Sequence, residues 1–166
     1  MTQSHPDSDR ARPGAGKTLD FERGIPFLIS AAGNRLADLA SRDVRTSFGI
    51  GLMEWRIVAL LAVESTATPA RVGLVSGVDK SVVSRAAATL EQRGLIGIEA
   101  DPHGSRQTRL SLTAAGNALH DRGVELAFER CDSLLEGFSH EEREQLTDFL
   151  QRAMVNLRSL EAAQER

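Results

Sequence analysis

The sequence predicts a mainly α-helical chain with one small β-hairpin, on three observations. Apolar residues recur every three or four positions over long stretches at both ends, two short helical segments in the middle are separated by a glycine, and directly after them the period falls to two. A length of 166 residues is enough for one ordinary domain with an extension.

Residues 1–18, MTQSHPDSDRARPGAGKT, are polar, rich in Pro and Gly and without periodicity, and read as a disordered tail. Within it ARPGAGKT imitates a phosphate-binding loop. The imitation fails because Ala11 stands where the first glycine is required and no apolar strand precedes it. From Phe21 to about Ser47 the helical spacing runs through Ile25, Leu28, Ile29, Ala32, Leu36, Leu39 and Ala40, until FGIG interrupts it. A second helix, Leu52 to Val63, carries Trp55, Val58, Ala59, Leu61 and Ala62 on a broad apolar surface.

Thr68-Pro69 is a helix start: the hydroxyl caps, and proline sits where a missing amide hydrogen costs nothing. Val72 and Val75 ride this short helix and Gly77 ends it. Asp79 is placed to cap the next helix, which runs through Gln92 and stops at Gly94. Ile96 and Ile98 then alternate with small or polar residues, DPHGSR supplies a turn, and Thr108, Leu110 and Leu112 alternate again. Two short helices and a polar-tipped hairpin make a winged helix-turn-helix.

Helical spacing resumes at Thr113 and continues through Leu119, Leu126, Cys131, Leu134 and Leu135. It breaks near Gly137, and Ser139 with Glu142 forms a capping box that opens a last helix bearing Leu146, Phe149, Leu150, Ala153, Met154, Leu157 and Leu160. The expected organisation is a tail at 1–20, an N-terminal dimerisation helix at 21–50, the winged domain at 51–112 and C-terminal dimerisation helices at 113–166. The terminal helices are too apolar to stand alone, and a second subunit is the economical place to bury them.

The net charge of −3 hides a gradient. Residues 1–68 carry eight Lys/Arg against eight Asp/Glu, residues 69–112 six against four, and residues 113–166 six against eleven. The centre is therefore where a polyanion would dock. A single cysteine, Cys131, excludes a disulfide framework within the chain and fits a reducing cytoplasm, where we expect this protein. No leader-like apolar segment and no run of about 18 apolar residues points to secretion or a membrane. Cys131, on an apolar stripe, is expected to be a buried structural residue. His5, His103, His120 and His140 are scattered without ligand spacing, so neither a metal nor a cofactor is expected. With no tyrosine, no nucleophile motif and no acid/base set, no enzyme is expected either.

Over residues 21–160 the chain resembles the MarR family of bacterial transcription regulators. FGIGLMEWRIVALLA resembles the family's helix before the helix-turn-helix, GVDKSVVSRAAATLEQRGLI its recognition helix and exit, and DPHGSRQTRLSLTAAG its wing followed by L-T-x-x-G. The resemblance implies a homodimer whose two winged domains read successive half-sites of a pseudo-palindromic double-stranded operator, most simply as a repressor. Two positions depart from the pattern. Gly104 replaces the Asp usual two residues before the wing-tip arginine, and Gly73 replaces an alanine, a change expected to cost helix stability of up to about 1 kcal/mol.

On the helix from 80 to 92, Val83, Ala87 and Leu90 share a face that should pack inward. The DNA-reading candidates lie opposite. Arg85 is the first choice for guanine O6 and N7, Ser81 and Ser84 for phosphate or base, Val82 for a thymine methyl and Lys80 for the phosphate backbone, with Thr89 on the same face. Arg106 at the wing tip is expected to enter the minor groove, supported by His103 and Arg109. Family regulators commonly release DNA when a small, often aromatic or phenolic, acid binds between the dimer helices and the winged domain. For that effector the candidates are Trp55, to stack, with Ser30 and Asn34, polar residues on an otherwise apolar helix; the alternative is that Trp55 is core. A competing reading is a winged-helix protein-interaction module without DNA binding, favoured only by the acidic C-terminal third.

Overall fold

The computed structural model describes residues 20–100 and 108–164. Six helices and three short strands follow in the order α1 (Ile25–Phe48), α2 (Leu52–Glu64), β1 (Thr66–Ala67), α3 (Pro69–Ser76), α4 (Lys80–Gln92), β2 (Ile96–Ala100), β3 (Thr108–Leu112), α5 (Ala114–Leu134) and α6 (His140–Gln164). The chain forms two compact units, Met1–Leu39 and Ala40–Arg166, so the division falls inside α1.

In the first unit α1 begins at Ile25, four residues later than the spacing from Phe21 predicts. Asp20 holds the preceding segment in a turn: its carboxylate accepts from the amides of Glu22 (2.9 Å) and Arg23 (3.1 Å). Phe21 folds back to stack on Phe27 at 4.0 Å. The helical pattern of Phe21 is thus satisfied by a ring contact and not by a helical backbone.

The second unit is built on a three-stranded antiparallel sheet in the order β1-β3-β2, with Ala67 opposite Leu110 and Ile98 also opposite Leu110 on its other side. The hairpin β2–β3 follows the period-two reading, whereas β1 was not legible: two residues carry no periodicity, and pairing with β3 alone makes them a strand. The core lies where α2, α4, the sheet and the start of α5 meet, and Ile57, Val58, Leu61, Val72, Val83, Leu90 and Leu110 are fully enclosed there. Burying that set supplies roughly 1.5–3 kcal/mol per side chain.

Most expected signals are present. Thr68 Oγ1 accepts from the Arg71 amide at 3.1 Å, Gly77 closes α3 in the left-handed region at φ +66°, and Ser139 and Glu142 cap each other's amides at 3.2 and 2.7 Å. Two expectations are corrected. Asp79 occupies the N-cap position of α4 but its side chain makes no cap bond; only its carbonyl receives the amides of Val82 and Val83. Cys131 is exposed, since among the described residues no element covers that side of α5.

Gly73 also changes meaning. A Cβ there would lie 2.9 Å from the carbonyl oxygen of Val78, whose amide returns to the Gly73 carbonyl at 3.2 Å. The turn into α4 passes too close for a side chain, so the glycine is a packing requirement and not merely a helix defect.

Candidate nucleic-acid interface

The interface is built on α4, whose apolar residues divide it lengthwise. Val83, Ala86, Ala87 and Leu90 are buried in the core. Lys80, Ser81, Ser84, Arg85 and Thr89 are exposed, and Val82 is half-buried. The inward face matches the expected one with Ala86 added, and the outward face gathers every candidate reading residue of this helix. Thr89 is partly committed already: its hydroxyl donates to the Arg85 carbonyl at 3.1 Å, which leaves the oxygen's acceptor side for a partner.

Both ends of α4 are held. At the C-terminal end Gly94 sits at φ +68°, its amide donates to the Glu91 carbonyl (2.8 Å), and the Leu95 amide donates to the Leu90 carbonyl (2.9 Å). These two bonds, with Leu90 and Leu95 both buried, make a Schellman motif that stops the helix at a defined angle. Beyond it the LTAAG stretch gains a physical reading. The Thr113 hydroxyl donates to the Gly94 carbonyl at 2.7 Å and accepts from the Gly116 amide at 3.1 Å, while the Thr113 amide donates to the Leu95 carbonyl at 3.1 Å. A Cβ on Gly116 would stand 2.0 Å from that same Leu95 oxygen. Thr113 and Gly116 therefore dock the start of α5 onto the exit of α4.

The N-terminal end of α4 presents Lys80 and Ser81 beside free backbone amides, an arrangement that favours phosphate. Arg71 of α3 donates to Glu64 at the end of α2 through Nε (3.0 Å) and Nη2 (2.6 Å). This pairing holds the Glu64 carboxyl below its ordinary range, mainly through the hydrogen bond from Arg71. Glu64 is thus kept ionised and its charge is turned toward Arg71.

On the wing, Arg109 is half-buried on β3 and stands opposite Glu99 of β2. His103 and Arg106, together with Gly104, lie outside the described residues.

Of the ligand candidates, Ser30 and Asn34 are exposed on the part of α1 in the first unit, and Trp55 is buried in the second. The Trp55 indole is stacked with the rings of Phe48 (6.4 Å between centroids) and His120 (6.1 Å). It is core in this chain. Sequence reasoning missed a groove of about 570 Å³ between the α3–α4 turn and α6, lined by the apolar Leu74, Val78, Met154 and Leu157 and by two cations, Lys80 and Arg158, balanced by two carboxylates, Asp79 and Glu161. No spacing signal joins residues 80 apart, so only the folded chain reveals it. Among the described residues no group of three or more His, Cys, Asp or Glu is placed to hold a metal ion, and no single helix is long and apolar enough to cross a membrane.

Comparison with known proteins gives the following. A family model described as the MarR family matches residues 48–107. No curated protein matches the sequence significantly. Among solved structures, a MarR/EmrR family transcriptional regulator from Acinetobacter sp. ADP1 is similar with a TM-score of 0.78 and 28% identity, covering 85% of this chain and 99% of its own. A MarR family transcriptional regulator from Silicibacter pomeroyi follows with a TM-score of 0.75 and 26% identity, over 84% of this chain and 96% of its own. BpsR from Bordetella bronchiseptica, whose DNA binding is regulated by 6-hydroxynicotinic acid, shares the fold with a TM-score of 0.72 at 20% identity, over 82% of this chain and 97% of its own.

Proposed function

Since the chain belongs to the MarR family of winged helix-turn-helix transcriptional regulators, which are DNA-binding transcription factors and not enzymes, we propose that it acts as a cytoplasmic homodimeric repressor of a pseudo-palindromic operator. The observation that carries this reading is the lengthwise division of α4. Four residues fix one side in the core, and the other side offers Lys80, Ser81, Ser84 and Arg85 with Val82 at the margin. Arg85 reads a guanine edge, the serines and Thr89 take phosphate or base, Val82 meets a thymine methyl and Lys80 holds the backbone. Arg106, His103 and Arg109 extend the contact from the wing into the neighbouring minor groove.

Dimerisation is supported by α6. This 25-residue helix buries none of its residues in the chain, yet Phe149, Leu150, Met154, Val155, Leu157 and Leu160 are all at least 40% exposed. Such a stripe is stable in water only when another surface covers it. We assign residues 21–50 and 113–166 to dimerisation and 51–112 to DNA reading.

Release by a small aromatic acid is the finer part of the proposal. BpsR, which shares the fold, responds to such an acid. Ser30 and Asn34, both exposed on α1, are the proposed contacts, and Trp55 is assigned to the core instead.

The test is a titration of the purified protein with its own upstream DNA at several salt concentrations. A steep fall of affinity with salt and preference for a palindromic duplex are expected; absence of both would remove the DNA-reading proposal. Adding 6-hydroxynicotinic acid and related acids to the complex tests release. An acid that stabilises the protein against heat but leaves DNA affinity unchanged would eliminate the induction mechanism.

A further inference from the structure

Arg93 is the C-cap residue of α4, directly before Gly94, and its side chain reaches the end of α1. Its guanidinium donates through Nη1 to the Gly49 carbonyl at 2.7 Å and through Nη2 to the Phe48 carbonyl at 3.2 Å. These carbonyls are at the C-terminal end of α1, where the helix leaves acceptors without intrahelical partners and the dipole is negative. A cation there satisfies both needs. No residue on α4 other than Arg93 is seen to hydrogen-bond this end of α1 among the described residues.

The far side of the same helix end is held as well. The Phe48 ring is stacked on Trp55 and lies under the Arg122 guanidinium, 5.6 Å from its centroid. The end of α1 is therefore clamped between α5, through Phe48, and the reading helix, through Arg93. The Schellman turn at Gly94 fixes the exit of α4, so the two bonds from Arg93, one residue before it, tie the end of α1 to that exit.

We propose that Arg93 is a positioning residue for DNA reading: a strut that sets the angle of α4 from the end of α1 without touching DNA itself. The proposal rests on α4 being the reading helix. It makes α1, through its last carbonyls, a direct determinant of how Lys80 and Arg85 are presented.

The experiment compares wild type, Arg93→Ala and Arg93→Lys in full-length protein, using a duplex from the protein's own upstream DNA, a scrambled duplex and a range of salt. Arg93→Ala is expected to lose roughly tenfold in affinity for the upstream duplex, about 1.4 kcal/mol, with the scrambled duplex and the salt slope unaffected. Arg93→Lys, which keeps a cationic donor, should recover part of the loss. A slope lowered by about 0.9 in Arg93→Ala would mean that Arg93 neutralises a phosphate, and would overturn the strut. Unchanged affinity for the upstream duplex would overturn it too. Amide exchange in the absence of DNA separates this from the functional reading. Faster exchange in both the last turn of α1 and in α4 of Arg93→Ala supports the strut even if no duplex binds, and faster exchange in the last turn of α1 alone refutes it.

Discussion

The indole of Trp55 lies directly on the backbone of Gly123. A Cβ on Gly123 would stand 2.3 Å from Cζ3 and 2.4 Å from Cη2 of the ring, so α2 and α5 approach as closely as they do only because this position has no side chain. Gly123→Ala should force the ring off Phe48 and His120 and cost about 1–3 kcal/mol, as overpacking of a filled core does. Trp55 is the single tryptophan of the chain, so its emission reports the change directly. A variant with unaltered emission and melting temperature would show that the helices separate freely.

Gly73 provides a test in which two physical effects have opposite signs. Helix propensity alone says that Gly73→Ala stabilises α3 by up to about 1 kcal/mol. The 2.9 Å approach to the Val78 oxygen says the reverse, because the obstacle is backbone and cannot swing aside. Chemical denaturation should find the alanine variant less stable.

Thr113 joins three groups at the exit of α4, and Thr113→Val keeps its shape while removing the hydroxyl. Loss of the bond to the Gly94 carbonyl and of the cap on the Gly116 amide should lower stability by about 1–2 kcal/mol. If α5 docks through apolar packing alone, denaturation midpoints of the variant and wild type will coincide.

On the reading face, the two cations should behave differently. Arg85→Ala is expected to cost about 1–3 kcal/mol on the preferred sequence and to relax preference at one base pair. Lys80→Ala should weaken all duplexes alike and lower the salt slope by about 0.9. Competition binding with single-base variants of the upstream duplex distinguishes them. A partner protein that is still captured by the triple variant of Lys80, Arg85 and Arg106 to Ala, with DNA binding intact in none of the proteins, would favour an interaction module instead.

The Glu64–Arg71 pair makes a pH prediction. The folded-state pKa of Glu64 is depressed, so the pair's contribution is fully present above the ordinary value of 4.5 and fades as the pH falls below it. Arg71→Ala should return the Glu64 carboxyl toward that ordinary value, as read by NMR titration. Both groups are at the surface, so salt should shrink the effect.

The elements whose cause is local were legible in advance. Thr68-Pro69, Gly77, Gly94 and the Ser139/Glu142 box act within a few residues, and the inward face of α4 follows from a period of 3.6. The outward face, with Lys80, Ser81, Ser84 and Arg85, came with it, since a helix that buries one side must present the other. Asp79 and Cys131 were misread because one depends on the rotamer its side chain adopts and the other on what covers α5, and spacing along the chain carries neither.

The amino-acid sequence by itself thus determined the order of helices, the hairpin and the two faces of the reading helix, because caps, turns and periodicity are interactions between near neighbours. Only the tertiary structure decided why Gly73, Gly116 and Gly123 are glycine, that Thr66 and Ala67 form a strand, and that Arg93 reaches the end of α1. Those outcomes are set by close approach between segments far apart in the chain, where a single Cβ or carbonyl oxygen decides whether two elements can meet.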